Sequence, residues 1–208
     1  MKIETFPVGI ISTNCYVVTD ENSGESLVVD PGDMSGALED ALIGKNIKYI
    51  LLTHGHYDHI LAAAGLKQKT GAPVAIGKDD ADCLHDDDLS RAGLHFPLLQ
   101  QKINADVLLC DGSEIDFGGK KIKVIHTPGH TPGGVCYVFE DERVIFSGDT
   151  LFRLSMGRTD FETGSDADMA QSLKTLASLG GDYDVYPGHG PATTLDFERK
   201  HNPYMRSL

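Results

Sequence analysis

The chain has no tryptophan and only four cysteines among its 208 residues. Cys15, Cys83, Cys110 and Cys136 stand far apart, and no C-x-x-C pair exists. This pattern argues against a disulfide framework and suits reduced thiols in a cytoplasmic protein. Basic residues are scarce too: 18 Lys and Arg face 31 Asp and Glu, a net charge of −13. Nucleic-acid binding draws its main affinity from cations that neutralise phosphates, so a nucleic-acid partner is not expected. An anionic membrane surface is disfavoured on the same ground. No stretch approaches the roughly 18 apolar residues of a membrane helix. The opening MKIETFPVGIISTN carries Glu4 and Pro7 and lacks the continuous apolar core of a signal peptide. The expectation is a cytoplasmic protein acting on a small molecule.

What remains is ordinary globular composition, 40% hydrophobic and 24% charged. The β-branched runs at 15–18 and 26–29 read as strands, and the second stops at Asp30-Pro31-Gly32 because proline cannot extend a ladder. A helix is predicted over 35–44, a buried strand over 47–52, a helix over 59–70 ending before Gly71, and a strand over 72–76. Strands are then predicted at 107–110, 120–125, 134–139, 143–147 and 184–186, with a helix at 166–179. The two halves are similar and no Pro/Ser-rich linker divides them, so residues 1–208 are expected to form a single domain. Six aspartates fall within 79–88 and read as a solvated helix face or loop. His85 and His95 have no partner at ligand spacing and are expected at the surface. His126 reads as a strand-end residue that could support His130. His201 lies near a terminus expected to be mobile.

The unusual feature is the punctuation at strand ends. The stretch THGHYDHI follows the apolar run 47–52 and packs His54, His56, Asp58 and His59 into six positions. By chance, H-x-H-x-D-H is expected roughly twice in a thousand chains of this composition. Thr127-Pro128-Gly129-His130 follows the strand at 120–125, Gly148-Asp149 that at 143–147, and Pro187-Gly188-His189 that at 184–186. Proline fixes φ and ends a strand, while glycine admits positive φ, so each imidazole can be aimed sharply inward. Seven N/O ligands exceed what one tetrahedral zinc takes and suit two metals sharing a carboxylate. The lack of thiolates points to a catalytic site rather than a structural one. Imidazole with carboxylate admits two divalent ions, zinc first and iron or manganese as alternatives.

The series H-x-H-x-D-H, His, Asp, His resembles that of the metallo-β-lactamase superfamily across essentially the whole chain, as does Val29-Asp30-Pro31-Gly32. The resemblance implies an α/β fold, a four-layer αββα sandwich of two mixed sheets with outer helices and a metal site at one edge. It implies a first metal held by His54, His56 and His130, a second by Asp58, His59 and His189, and Asp149 bridging them. Asp30 would orient a ligand loop from behind. Gly157-Arg158-Thr159-Asp160-Phe161, Tyr186-Pro187-Gly188-His189-Gly190-Pro191 and Asn202-Pro203-Tyr204 resemble the short glyoxalase II-like hydrolases. Long forms of that family add a helical C-terminal domain that grips glutathione. Only nineteen residues follow His189 here, so that grip is expected to be missing.

The implied reaction is hydrolysis of a thioester of the hydroxyacylglutathione type by a hydroxide bridging two metals, with Asp58 as the catalytic residue that orients it. Tyr57 and Arg158 are candidates for substrate contact. The alternative is a persulfide dioxygenase with a single iron, whose relatives share Gly-Arg-Thr-Asp-Phe but tend to carry Pro-Ala-His where this chain has Pro-Gly-His-Gly. RNA-processing relatives conflict with the acidic charge, and β-lactam-cleaving relatives would normally carry a secretion signal.

Overall fold

The computed structural model describes residues 1–95 and 100–206, without the side chains of residues 94 and 95. His95 therefore lies outside what can be compared with its expected surface position. The first sheet runs in the order β1 (Lys2–Val8), β2 (Thr13–Thr19), β3 (Glu25–Val29), β4 (Asn46–Leu51), β5 (Val74–Gly77) and β6 (Val107–Leu109). Its first three strands are antiparallel and the rest parallel, so it is mixed. The second half supplies β7 (Glu114–Phe117), β8 (Lys120–His126), β9 (Val135–Phe139) and β10 (Val144–Gly148). A small hairpin of β11 (Leu151–Phe152) and β12 (Ser155–Met156) follows, then β13 (Asp184–Pro187) and β14 (Thr193–Thr194). The second sheet is ordered β14-β13-β10-β9-β8-β7, with only β10 and β13 parallel.

Strand periodicity accounts for the layering. Successive side chains of a strand point to opposite faces. In β3, Leu27 and Val29 enter the core between the sheets, while Val28 faces the other way. In β9, Val135, Tyr137 and Phe139 meet them from the second sheet, and Cys136 and Val138 face outward. The outward faces are covered by helices. Leu38 of α1 (Gly36–Leu42) and Ala63 and Leu66 of α3 (Ala63–Thr70) cover the first sheet, with α2 (Tyr57–Ile60) leading into α3. After the short α4 (Ala92–His95), Met169, Leu173 and Leu176 of α5 (Asp166–Ala177) and Leu195 of α6 (Leu195–His201) cover the second sheet. The result is the expected four-layer αββα sandwich. Among the described residues no helix is long and apolar enough to cross a membrane.

Several local expectations need correction. The helix predicted over 59–70 is broken at residues 61–62, where the Ala62 N–H donates to the Pro31 carbonyl at 2.9 Å instead of continuing the ladder. β1, β7 and α6 have no counterpart in the sequence reading. His201 closes α6, its ring 4.7 Å from Phe197.

The sheets are pinned together at one edge by polar bonds. The Tyr137 hydroxyl donates to the Leu52 carbonyl at 2.7 Å and the Tyr16 hydroxyl to the Pro187 carbonyl at 2.6 Å. The Val135 N–H donates to the Thr53 carbonyl, and Asn14 N–H to the Gly188 carbonyl. These bonds join the very loops that carry the histidines.

Candidate metal centre

The loops after β4, β8, β10 and β13 converge at that edge and bring all seven side chains together. Ligand-capable atoms of His54, His56 and His130 lie within 4.8 Å of one another, as do those of His54, His59 and Asp149, and those of Asp58, His59 and His189. His130 Nε2 and His189 Nε2 are 3.5 and 3.6 Å from Asp149 Oδ2, and His59 Nε2 is 3.5 Å from Asp149 Oδ1. Asp58 Oδ2 is 3.2 Å from both His59 and His189.

The rings are aimed by partners on their far nitrogens. His59 Nδ1 donates to Asp30 Oδ2 at 2.9 Å, and His130 Nδ1 donates to the Arg158 carbonyl at 2.7 Å. Both arrangements aim Nε2 at the centre. Asp30 also accepts from the Thr53 N–H and hydroxyl, each at 2.7 Å, so one buried carboxylate fixes both ends of the loop. It does so from a left-handed backbone with φ +51, a conformation aspartate tolerates better than most residues.

The two Pro-Gly-His turns need their glycines for different reasons. Gly129 has φ +135, as expected. Gly188 does not adopt positive φ; a Cβ there would lie 2.2 Å from Asp149 Oδ1 and 2.7 Å from His59 Cε1. Close approach, not chain reversal, is what position 188 requires.

Protonation follows from burial and charge. His54 is pushed well below its usual range by burial and by His59, His56 and His130. His56 is pushed down to about 2 by burial, then by His130. Both are neutral imidazoles, the form that ligates metals. Burial would raise Asp58, but His59 and His189 hold it well below the carboxylate range. Burial would lower His59, but Asp58, Asp30 and Asp149 raise it well above.

Three buried atoms decide what the cluster is for. His54 Nε2, His59 Nε2 and Asp149 Oδ1 have no hydrogen-bond partner among the described residues. They belong to one of the mutually close triads. Buried polar atoms are otherwise almost always satisfied, because leaving one unmade costs about 1–3 kcal/mol. Imidazole nitrogens and a carboxylate turned toward one point are the donor set of a metal site, with His59 giving up its proton as the metal binds, and the residues present fit one.

The centre opens into a cavity of about 450 Å³ lined in part by Tyr57, Arg91, Met156, Arg158 and Phe161. Arg158 is paired with Asp160 at 2.6 Å and lies over the Phe161 ring, which also abuts His56 and His130. Arg91 lies over the same ring at 4.0 Å. Sequence reading missed Arg91 and Phe161, which join only through the fold.

It also misread Asp80. Within the aspartate run, Asp79, Asp82, Asp86 and Asp88 are exposed and Asp87 is half-buried, but Asp80 is buried. It accepts from the Gly55 N–H at 2.8 Å, the Thr131 hydroxyl at 2.7 Å and the Gly133 N–H at 2.6 Å. It therefore clamps the loop between His54 and His56 to the loop after His130. Asp80→Ala is expected to cost about 2–4 kcal/mol of stability by orphaning three donors. Metal affinity is expected to drop about 10–100-fold, read by competition with a chelating dye. His85 is exposed, as expected. His126 Nε2 donates to the Pro132 carbonyl at 2.8 Å and braces the loop after His130.

The fold and the cluster together define an αββα sandwich with a histidine–aspartate metal centre at one edge. The model of the Metallo-beta-lactamase superfamily matches residues 8–189, and the chain belongs to that superfamily. It is 33% identical to the protein named hydroxyacylglutathione hydrolase GloC of Haemophilus influenzae, covering 100% of this chain and 99% of that one. The crystal structure of BLEG-1 B3 metallo-beta-lactamase superposes with a TM-score of 0.91 at 34% identity, covering 98% and 99% of the two chains. TTHA1623 in a di-iron-bound form superposes with a TM-score of 0.84 at 34% identity, covering 97% and 99%.

Proposed function

We propose that this member of a metallo-hydrolase superfamily is a cytoplasmic, single-domain thioester hydrolase of the hydroxyacylglutathione type. In this reading two divalent ions, zinc by donor preference, would be held by His54, His56 and His130 for one and by Asp58, His59 and His189 for the other, with Asp149 serving both. The observation that carries it is the triad of buried, unpartnered atoms on His54, His59 and Asp149. When bound, the metals supply Lewis-acid chemistry, acidifying a water and polarising the acyl oxygen. The chain supplies the rest. Asp58 accepts from the Thr13 hydroxyl at 2.7 Å, which fixes its carboxylate so that the free lone pairs orient the attacking water. Tyr57, Arg91 and Phe161 line the cavity in which the thioester lies. A thiol with pKa near 8.5 departs as thiolate without a dedicated acid. The likeness to GloC supports the thioester reading; that to a β-lactamase supports the hydrolytic core.

The test is turnover of S-lactoylglutathione and a thioester panel by metal-loaded protein, beside oxygen uptake with glutathione persulfide. Thioester cleavage without oxygen uptake is expected. Oxygen uptake with one iron per chain would replace the hydrolase by a dioxygenase.

A further inference from the structure

A second cavity, of about 400 Å³, adjoins the first and shares Ile11, Tyr57 and Asp58 with it. It runs away from Arg91, Arg158 and Phe161, which line only the first. Its floor is one face of α3: Ala62, Gly65, Leu66 and Lys69 stand at i, i+3, i+4 and i+7 and so lie in a row. Met34 and Leu61 add to its apolar lining. At its mouth the β1–β2 turn presents Ile10 and Ile11, 76% and 48% exposed. Two adjacent exposed isoleucines extend the cleft into a contiguous apolar patch of the kind that marks a ligand-binding groove. From Ala62 to Lys69 the row is about 10 Å long, the reach of an extended chain of roughly eight carbons. The exposed pair Lys69–Glu39, at 3.4 Å, lies at the Lys69 end of the row.

We propose that this cleft is the acyl subsite, and that the substrates are thioesters of medium-length, apolar acyl groups. The inference rests on the thioester reading above and deepens it. With the scissile carbonyl at the metal centre, the acyl chain passes Tyr57 and lies along α3, leaving the Arg91–Phe161 side for the thiol carrier. A lactoyl group would fill only the near end. Burial of each further methylene contributes roughly fourfold to affinity or specificity.

Gly65 offers a clean test, because a Cβ there meets nothing within 4 Å. A side chain at 65 thus enters open cleft, and replacing a helical glycine favours the helix. Two measurements are made on wild type and Gly65→Phe. One is kcat/KM along a series of acetyl, butyryl and octanoyl N-acetylcysteamine thioesters, with metal content checked. The other is displacement of 1-anilinonaphthalene-8-sulfonate by octanoate from metal-free protein. For the wild type, a rise of at least about tenfold from acetyl to octanoyl is expected, with octanoate displacing the dye. In Gly65→Phe, with metal retained, the rise is expected to vanish and octanoate binding to weaken at least about tenfold. A flat series in the wild type, or a variant that keeps both the rise and octanoate binding, overturns the cleft. Failure of the thioester reading looks different: no thioester is cleaved, yet octanoate still binds in a manner that depends on position 65.

Discussion

Replacing Asp149 by alanine is expected to lower thioester turnover by about 10³-fold or more, ~4 kcal/mol of transition-state stabilisation, while the chain stays folded. The Asp149 carboxylate approaches a histidine from each of the three histidine-bearing loops: His59, His130 and His189 lie 3.5, 3.5 and 3.6 Å from its oxygens. Its Oδ1 is buried without a hydrogen-bond partner among the described residues, so no hydrogen bond to that atom is lost with it. Two metals that share Asp149 would lose their common ligand. Bound metal is therefore expected to fall from two ions per chain to one or none, measured by elemental analysis after desalting. A variant that kept both ions and full turnover would show that Asp149 does not bridge.

Asp30→Ala is expected to have the largest effect on stability, about 3–5 kcal/mol, read by urea unfolding of the metal-free protein. The side chain is buried and accepts three hydrogen bonds, from the Thr53 N–H, the Thr53 hydroxyl and His59 Nδ1. Its loss orphans all three donors and removes one of the carboxylates that keep His59 charged in the metal-free state. Alanine is also poorly suited to φ +51. Asp30→Asn tolerates that backbone better and separates the effects. It is expected to fold more stably than Asp30→Ala yet bind metal about 10–100-fold more weakly than wild type, since the ring of His59 loses its anionic anchor. If Asp30→Asn bound metal as tightly as wild type, Asp30 would be a turn residue only.

What could be read from the chain, and what could not, divides along sequence distance. His54, His56, Asp58 and His59 are local, and the strand that precedes them is a plain apolar run, so their role was visible. His130, Asp149 and His189 were visible because each follows a strand and a glycine. Position 188 was read correctly as a required glycine but for the wrong reason, since the crowding by Asp149 and His59 is tertiary. Asp80 was hidden by its exposed neighbours: its donors at Gly55, Thr131 and Gly133 are 25, 51 and 53 residues away. The break between α2 and α3 was equally hidden, because the carbonyl that competes for the Ala62 N–H belongs to Pro31. Phe161 closes the Gly157–Phe161 segment, but its stacking partner Arg91 stands seventy residues away, and no spacing links the two.

Whether separated loops of this chain gather their imidazoles and carboxylates around catalytic metal is tested most directly by stripping the purified protein with a chelator, assaying it, and restoring zinc in steps. Activity is expected to vanish on stripping and to return in proportion to zinc, saturating at two ions per chain. Undiminished thioester cleavage by protein shown to be free of transition metal would contradict it.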